Sequence, residues 1–278
     1  MKHVSALLAG AVIALYALPA VAGVVIEQDQ TVSSGDRTRN QHQTVMVQGN
    51  KQKLVTPTHE VITDLDKGKM YVIDPVAKTY IQMDFPPTGN MARIMAGNGQ
   101  SALNLTPAGT SRTIIDYKCN DFKGQGKVMS GDYTITECFS TKPPGAAEFT
   151  AFQTKMRDSF KGTPMAAMAN EMPAGIPMAS DSTMKMSKIS LPGLPADQRA
   201  KIEAAMANRP PIQNKTMVTK VTAQQLAAST FEVPNGYKER QMPAPAAHGG
   251  MSMMPPASAG SPTAGGGGSV AAPSPAAH

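Results

Sequence analysis

Between Val24 and Phe85 the chain is a succession of short runs in which apolar and polar side chains alternate, each run stopped by a turn signal. Val24 to Val32 is broken by Ser33-Ser34-Gly35-Asp36, and Thr44 to Gln48 ends at Gly49-Asn50. Lys53 to Thr56 and Glu60 to Asp66 are separated at Pro57, Lys69 to Ile73 follows the Lys67-Gly68 turn, and Thr79 to Phe85 returns after Asp74-Pro75. Strands this short, joined this tightly, predict an antiparallel meander. In the last run Thr79, Ile81, Met83 and Phe85 share one side, while Lys78, Tyr80, Gln82 and Asp84 share the other. That period of two belongs to a sheet with one buried face, so the meander has a face available to cover something.

Pro86-Pro87 ends this region, and the stretch around Met91 to Met95 is a candidate for a short helix. Strands resume at Ser111 to Ile115, Tyr117 to Phe122, Lys127 to Met129 and Tyr133 to Phe139. Gly145 to Phe160 is the best helix: Phe149, Phe152, Met156 and Phe160 recur at spacings of three and four, with Lys155, Asp158 and Lys161 off that stripe. It is expected to lie apolar side down on the sheet. Gly175 to Met186 reads as extended, Ala196 to Asn208 as a second helix stopped by Pro210-Pro211, and Lys215 to Thr222 as a closing strand.

The two ends do not belong to that domain. Lys2 and His3 precede the apolar run Val4 to Leu18, and Ala20-Val21-Ala22 sets small residues before a cut between Ala22 and Gly23, which is the layout of a cleaved export signal. A membrane span needs about 20 apolar residues, so export with cleavage is favoured over anchoring. No cysteine stands near the cut to take a lipid. From Pro243 to His278 there are 36 residues, 29 of them Ala, Pro, Gly or Ser and none charged. Such a segment buries too little to offset an ordering cost of about 1–2 kcal/mol per residue, so it reads as a disordered tail. The expected organisation is a signal at 1–22, one domain at 23–242 and a tail at 243–278, with the mature protein soluble in the periplasm.

The run Ile62 to Pro75 (ITDLDKGKMYVIDP), followed by Lys78-Thr79-Tyr80 and by Phe231-Glu232-Val233-Pro234-Asn235-Gly236-Tyr237, resembles a family of exported bacterial proteins of unknown function. In that family a D-x-D-K-G-x-M-Y hairpin opens the domain and an F-x-V-P-x-G-Y element closes it. Tyr117-Lys118-Cys119 is similar to its central G-Y-x-C element, with Asp116 in the place of Gly. The resemblance covers about Val24 to Arg240. It implies the architecture of the periplasmic lipoprotein carriers (the LolA-like fold): an α+β, mainly β domain whose curved, incompletely closed antiparallel half-barrel carries two or three helices on its concave face. It transfers no functional residue.

Cys119 and Cys138, 19 positions apart on neighbouring strand candidates of an exported chain, are expected to form a structural disulfide. Of five histidines only His42 and His59 fall in the domain. H-x-x-x-H, H-E-x-x-H, C-x-x-C, G-x-S-x-G and the phosphate-binding loop are all absent. Asp64 and Asp66 flank a Lys-Gly turn, where Asp is ordinary turn chemistry. Partnered groups for acid–base or nucleophilic catalysis are therefore not displayed, and the chain reads as non-catalytic with no cofactor.

Methionine is the one unusual abundance, with 20 in the chain. Met165, Met168, Met172, Met178, Met184 and Met186 crowd into 22 residues, and Met251, Met253 and Met254 follow His248 in the tail. Thioethers are soft ligands for Cu(I), so an envelope copper-binding protein using His248, Met251, Met253 and Met254 is one alternative. Adaptable packing in a core or acyl-lined cavity is the other use of the residue. The net charge of +6 is modest, and Lys51, Lys53, Lys67, Lys69 and Lys78 sit at or beside turns as a solvated rim open to weak attraction by anionic lipid. Export and the lack of an aromatic-basic pattern argue against nucleic acid. The leading expectation is a carrier-type protein holding a lipid, an acyl group or an envelope partner, with Ile81, Met83, Phe85, Phe149, Phe152, Met156 and Phe160 as cavity residues. A structural envelope protein with no ligand is the remaining alternative.

Overall fold

The computed structural model describes residues 23–89, 104–128, 131–163, 172–186 and 209–241, together with Gln198 and Lys201. The signal segment, the tail, the candidate helix at 91–95 and the copper-candidate residues His248, Met251, Met253 and Met254 lie outside the described residues.

Twelve strands form one long, open, curved sheet. They are β1 (Gly23–Ser34), β2 (Arg37–Gln48), β3 (Lys51–Val55), β4 (Glu60–Asp64), β5 (Lys69–Asp74), β6 (Thr79–Asp84), β7 (Thr106–Ile114), β8 (Tyr117–Val128), β9 (Gly131–Ser140), β10 (Ile176–Met186), β11 (Ile212–Gln224) and β12 (Lys238–Glu239). Their spatial order is β12-β6-β5-β4-β3-β2-β1-β11-β10-β9-β8-β7. Two meanders, β1 to β6 and β7 to β10, are thus joined by β11, which closes back onto β1. All neighbours are antiparallel except β12, which runs parallel to β6.

The expected turns are where the strands reverse. Ser34 faces Arg37 across Gly35-Asp36, and Gln48 faces Lys51 across Gly49-Asn50. At Asp74, Oδ1 accepts the amides of Val76 and Ala77 at 3.0 and 2.9 Å, an aspartate turn that sets up the β5–β6 reversal. Asp116, at a position where glycine is expected, has φ 71°, a left-handed backbone that glycine takes freely and Asp tolerates better than most residues. Several strands are longer than the sequence predicts, β2 and β8 most of all, and the separate run expected at Lys127 to Met129 joins β8 as far as Val128. β2 begins at Arg37 because its polar Arg-Thr-Arg-Asn stretch still pairs with β1, and β8 continues through Gly124 and Gly126 because β9 holds register to Gly131.

The helix count differs from expectation. The sequence predicts two or three helices on the concave face; among the described residues one, α1 (Ala146–Ser159), packs on the sheet. Its Phe149, Phe152 and Met156 stripe is the strongly periodic one. Of the candidate at 196–208 only Gln198 and Lys201 are described, both helical and exposed. α1 crosses the strands instead of following them. A Cβ built on Gly145, at its N-cap, would lie 2.6 Å from Val24 Cβ on β1, and Phe160, at its other end, meets the ring of Phe85 just past β6, centroids 5.4 Å apart. The fifteen residue steps from Gly145 to Phe160 span about 22 Å and five strand spacings about 24 Å, so the helix reaches from β1 to β6. Midway, Glu148 accepts the Gly49 amide and Lys155 Nζ donates to Asn50 Oδ1 at 2.6 Å, tying α1 to the β2–β3 turn.

Under α1, Val24, Ile26, Val45, Val47, Ile176, Met178 and Val218 complete the main core with Phe149, Phe152 and Met156. The opposite face of β1 to β6 is covered by the chain after β11. Leu226, Phe231, Val233 and Tyr237 pack on Ile62, Ile73, Tyr71 and Tyr80. Gln48 and Leu226 exchange two hydrogen bonds at 3.2 and 2.7 Å, which fixes where this strap starts.

Candidate functional site: the helix-side face of the sheet

Strand register, more than any single motif, builds the helix-side face. Val221, Ile26, Val45, Leu54, Val61, Val72 and Ile81 stand directly opposite one another on β11, β1, β2, β3, β4, β5 and β6. Directly opposed side chains share a face and lie about 4.5–5.5 Å apart, so these seven form one unbroken apolar row across the sheet. Ile26 and Val45 are sealed in the core, while Leu54, Val61, Val72 and Ile81 are half-buried. The next row, toward α1, runs Val24, Val47, Gln52, Thr63, Met70 and Met83.

On the side away from the helix the row gives way to amides. Gln28 faces Gln43, and Gln30 faces both Gln41 and Thr216. Gln28 Nε2 donates to Gln43 Oε1 at 3.0 Å, Gln43 Nε2 donates to Gln30 Oε1 at 2.6 Å, and Gln41 Nε2 donates to the same oxygen. Gln30 and Gln43 are 1% and 0% exposed, so this seam is part of the interior and not a solvated flank. Among the described residues Gln30 Nε2, Thr216 Oγ1 and Asn214 Oδ1 have no hydrogen-bond partner, each costing about 1–3 kcal/mol of uncompensated desolvation. The seam continues through Ser180, opposite Thr216, to Glu137 on β9. Burial pushes the Glu137 carboxyl up to about 7, partly offset by its hydrogen bond to Ser180. Tyr133 is likewise raised by burial.

The seven residues expected to line a cavity all fall along this interface, in three situations. Phe149, Phe152 and Met156 are buried between α1 and the sheet; Phe85 and Phe160 meet edge to face at its end; Ile81 and Met83 stand half-buried on β6. Leu54, Val61, Met70 and Val72 share that face and were readable from the same alternation. The seam gave no local signal of burial, because Gln28 and Gln30 lie in a stretch that is polar from Glu27 to Thr31, and Gln41 and Gln43 in one that is polar from Arg37 to Thr44. Glu137 carried none either: Tyr133 to Phe139 mixes polar and apolar residues without naming the buried face.

The remaining groups do other work. Cys119 and Cys138 are disulfide-bonded, joining β8 to β9. His42 pairs with Asp29 at 2.9 Å on the outer face. His59 contacts the Thr56 and Thr58 hydroxyls, and its pKa is lowered by burial and then by Arg39. Asp64 Oδ1 accepts the Lys67 amide at 3.1 Å, which makes it a turn-former, and Lys51 Nζ lies 3.5 Å from its other oxygen. Lys53 pairs with Glu60 at 2.8 Å and Lys69 with Asp84 at 2.6 Å, so most of the lysine rim is already neutralised. Met178 is fully buried core and Met184 half-buried. Among the described residues no group of three His, Cys, Asp or Glu is placed to hold a metal, and no helix is long and apolar enough to cross a membrane.

No protein-family model and no curated protein matches the chain. Solved structures to which it is similar include PNGF-II, at 10% identity and a TM-score of 0.37 over 80% of this chain; the match spans only 31% of PNGF-II. A LolA superfamily protein from Nitrosomonas europaea is similar at 8% identity and a TM-score of 0.28, covering 77% of this chain and 91% of that one. A DUF1329 family protein from Desulfovibrio piger is similar at 7% identity and a TM-score of 0.31, covering 76% and 89%.

Proposed function

We propose that this is an exported, non-catalytic binding protein of carrier type that holds a lipid or acyl chain on the helix-side face of its sheet. The observation that carries the reading is the apolar row in register, whose last four members, Leu54, Val61, Val72 and Ile81, stay half-buried beside α1. A row of branched side chains running across four strands offers a strip about 15 Å long, and each methylene laid on it and removed from water contributes about 0.8 kcal/mol. The glutamine seam limits that strip: an alkyl chain gains nothing by crossing amides, so the tail lies along the half-buried part of the row and stops short of the sealed Gln28 and Gln43. Export is supported by the charged and apolar start of the chain and by the disulfide, which suits an oxidising compartment. A non-catalytic role is supported by the site itself, where branched apolar groups, amides and hydroxyls outnumber titratable ones.

Displacement of a fluorescent polyene fatty acid, read alongside native mass spectrometry of protein purified from envelope extracts, tests this. Wild-type protein is expected to retain lipid-sized adducts and to bind the probe. Val72→Glu with Ile81→Glu is expected to lose about tenfold or more of that affinity with an unchanged far-UV spectrum, since two charges enter the strip. Absence of both adduct and probe binding in the wild type, or equal binding by the variant, overturns the reading.

A further inference from the structure

The other half of the sheet has a second concavity, on the face turned away from α1. Two rows in register cross β8, β9, β10 and β11 there. One is Lys123, Thr136, Asp181 and Lys215, and the other is Gln125, Thr134, Thr183 and Gln213. With Asn104, just before β7, and Thr106, its first residue, they line a cavity of about 770 Å³, within the usual range of small-molecule sites. Among the described residues the one apolar side chain in its wall, that of Ile135, is 6% exposed and by alternation is directed to the helix side.

The chemistry of the trough narrows its occupant. Among the described residues no exposed apolar side chain lines it, so an apolar ligand finds only the methyl and methylene groups of polar side chains. Gln125, Thr134, Thr136, Thr183 and Gln213 make no side-chain hydrogen bond among the described residues, so two amides and three hydroxyls are free to donate and accept. Asp181 is occupied: Arg112 Nη1 lies 3.7 Å and Lys215 Nζ 3.9 Å from it, and Arg112 Nε pairs with Asp121 at 3.0 Å. Lys123 is the lining cation with no ion pair among the described residues. A nucleic acid needs many unpaired cations and is not served by one ammonium, while a protein partner needs an apolar centre that this surface lacks. A ligand dense in hydroxyls, with a carboxylate within reach of Lys123, matches these free groups.

We infer that the outer trough is a binding site for an acidic saccharide, its hydroxyls read by the Thr134, Thr183 and Gln213 row and its carboxylate by Lys123. This site is independent of the lipid strip, since it lies on the opposite face and the opposite half of the sheet.

Chemical-shift titration of the full mature chain with a hexagalacturonate, cellohexaose and a single-stranded oligonucleotide provides the test. Hexagalacturonate is expected to bind more tightly than cellohexaose and to shift the amides of β9, β10 and β11. Lys123→Gln is expected to lower its affinity to that of cellohexaose. Thr183→Val with Gln213→Leu is expected to weaken both saccharides about tenfold, as the loss of two or more hydrogen bonds implies. Three results overturn the inference: no shift with either saccharide, shifts retained in the double variant, or equal binding of the oligonucleotide at the same residues. Unchanged uptake of the fatty-acid probe by these variants keeps that outcome separate from the lipid reading.

Discussion

Glu137 shows how much one side chain depends on where the sheet puts it. It stands opposite Ser180 on β10 and Phe122 on β8, with Ile135 and Phe139 two positions away on its own strand. Removed from water, its carboxyl rises from an ordinary 4.5 to about 7. In the unfolded chain it loses its proton near the ordinary value, so between that value and about 7 folding takes up a proton. Stability is therefore greatest below the ordinary carboxylate range, falls as pH rises toward about 7, and levels off above it. At 1.36 kcal/mol per pH unit the fall is on the order of 3 kcal/mol at most. Urea unfolding at pH 4.5 and pH 8 should show this fall, and Glu137→Gln should flatten it while raising stability at pH 8. An unchanged slope in the variant would show that the carboxyl is solvated.

At the level of elements, the position of α1 rests on its first cap. Gly145 has φ 79°, and any Cβ there would press within 2.6 Å of Val24 Cβ and 2.8 Å of its methyl. Gly145→Ala is expected to cost about 2 kcal/mol or more, from left-handed strain together with a clash that moves α1 off β1. Thermal unfolding measures it, and a cost below about 0.5 kcal/mol would mean that the helix start is free to shift. The helix itself was legible in the sequence because its Phe149, Phe152, Met156 and Phe160 stripe follows the helical period. The β4–β6 hairpins were legible because Lys67-Gly68 and Asp74-Pro75 punctuate an alternating pattern. What could not be read was pairing at a distance. Nothing local in Lys215 to Thr222 says that it inserts between β1 and β10, and only that pairing sets Thr216 beside Gln30. The candidate site divides the same way: Ile81 and Met83 follow from alternation on one strand, but the seven-residue row exists only once seven strands are in register.

Across the molecule, the two halves of the sheet are clothed differently. The β1 to β6 half is covered on one face by α1 and on the other by the strap from Leu226 to Tyr237. The outer face of β8 to β11 carries the polar trough. Truncation after Gln224 should bare Ile62, Ile73, Tyr71 and Tyr80. Removing Leu226 and Phe231 forfeits about 1.5–3 kcal/mol each before the entropy returned by freeing the strap. A fall in Tm of about 10 °C and a gain in apolar-dye fluorescence are expected. An unaltered Tm would show the strap to be ornamental.

The same strap gives the sheet two unlike edges. Beyond β6, Lys238 and Glu239 add two residues in parallel, with Lys238 N donating to Lys78 O at 3.0 Å and Arg240 N to Tyr80 O at 2.7 Å. The opposite margin, β7, runs for nine residues with a proline at 107 and a register break before Ser111. Lys238 and Glu239 cover only Thr79 and Tyr80 of β6, and Pro107 and the register break interrupt β7, so among the described residues neither margin offers a long unbroken ladder, which disfavours the repeating edge-to-edge growth from which fibres are made.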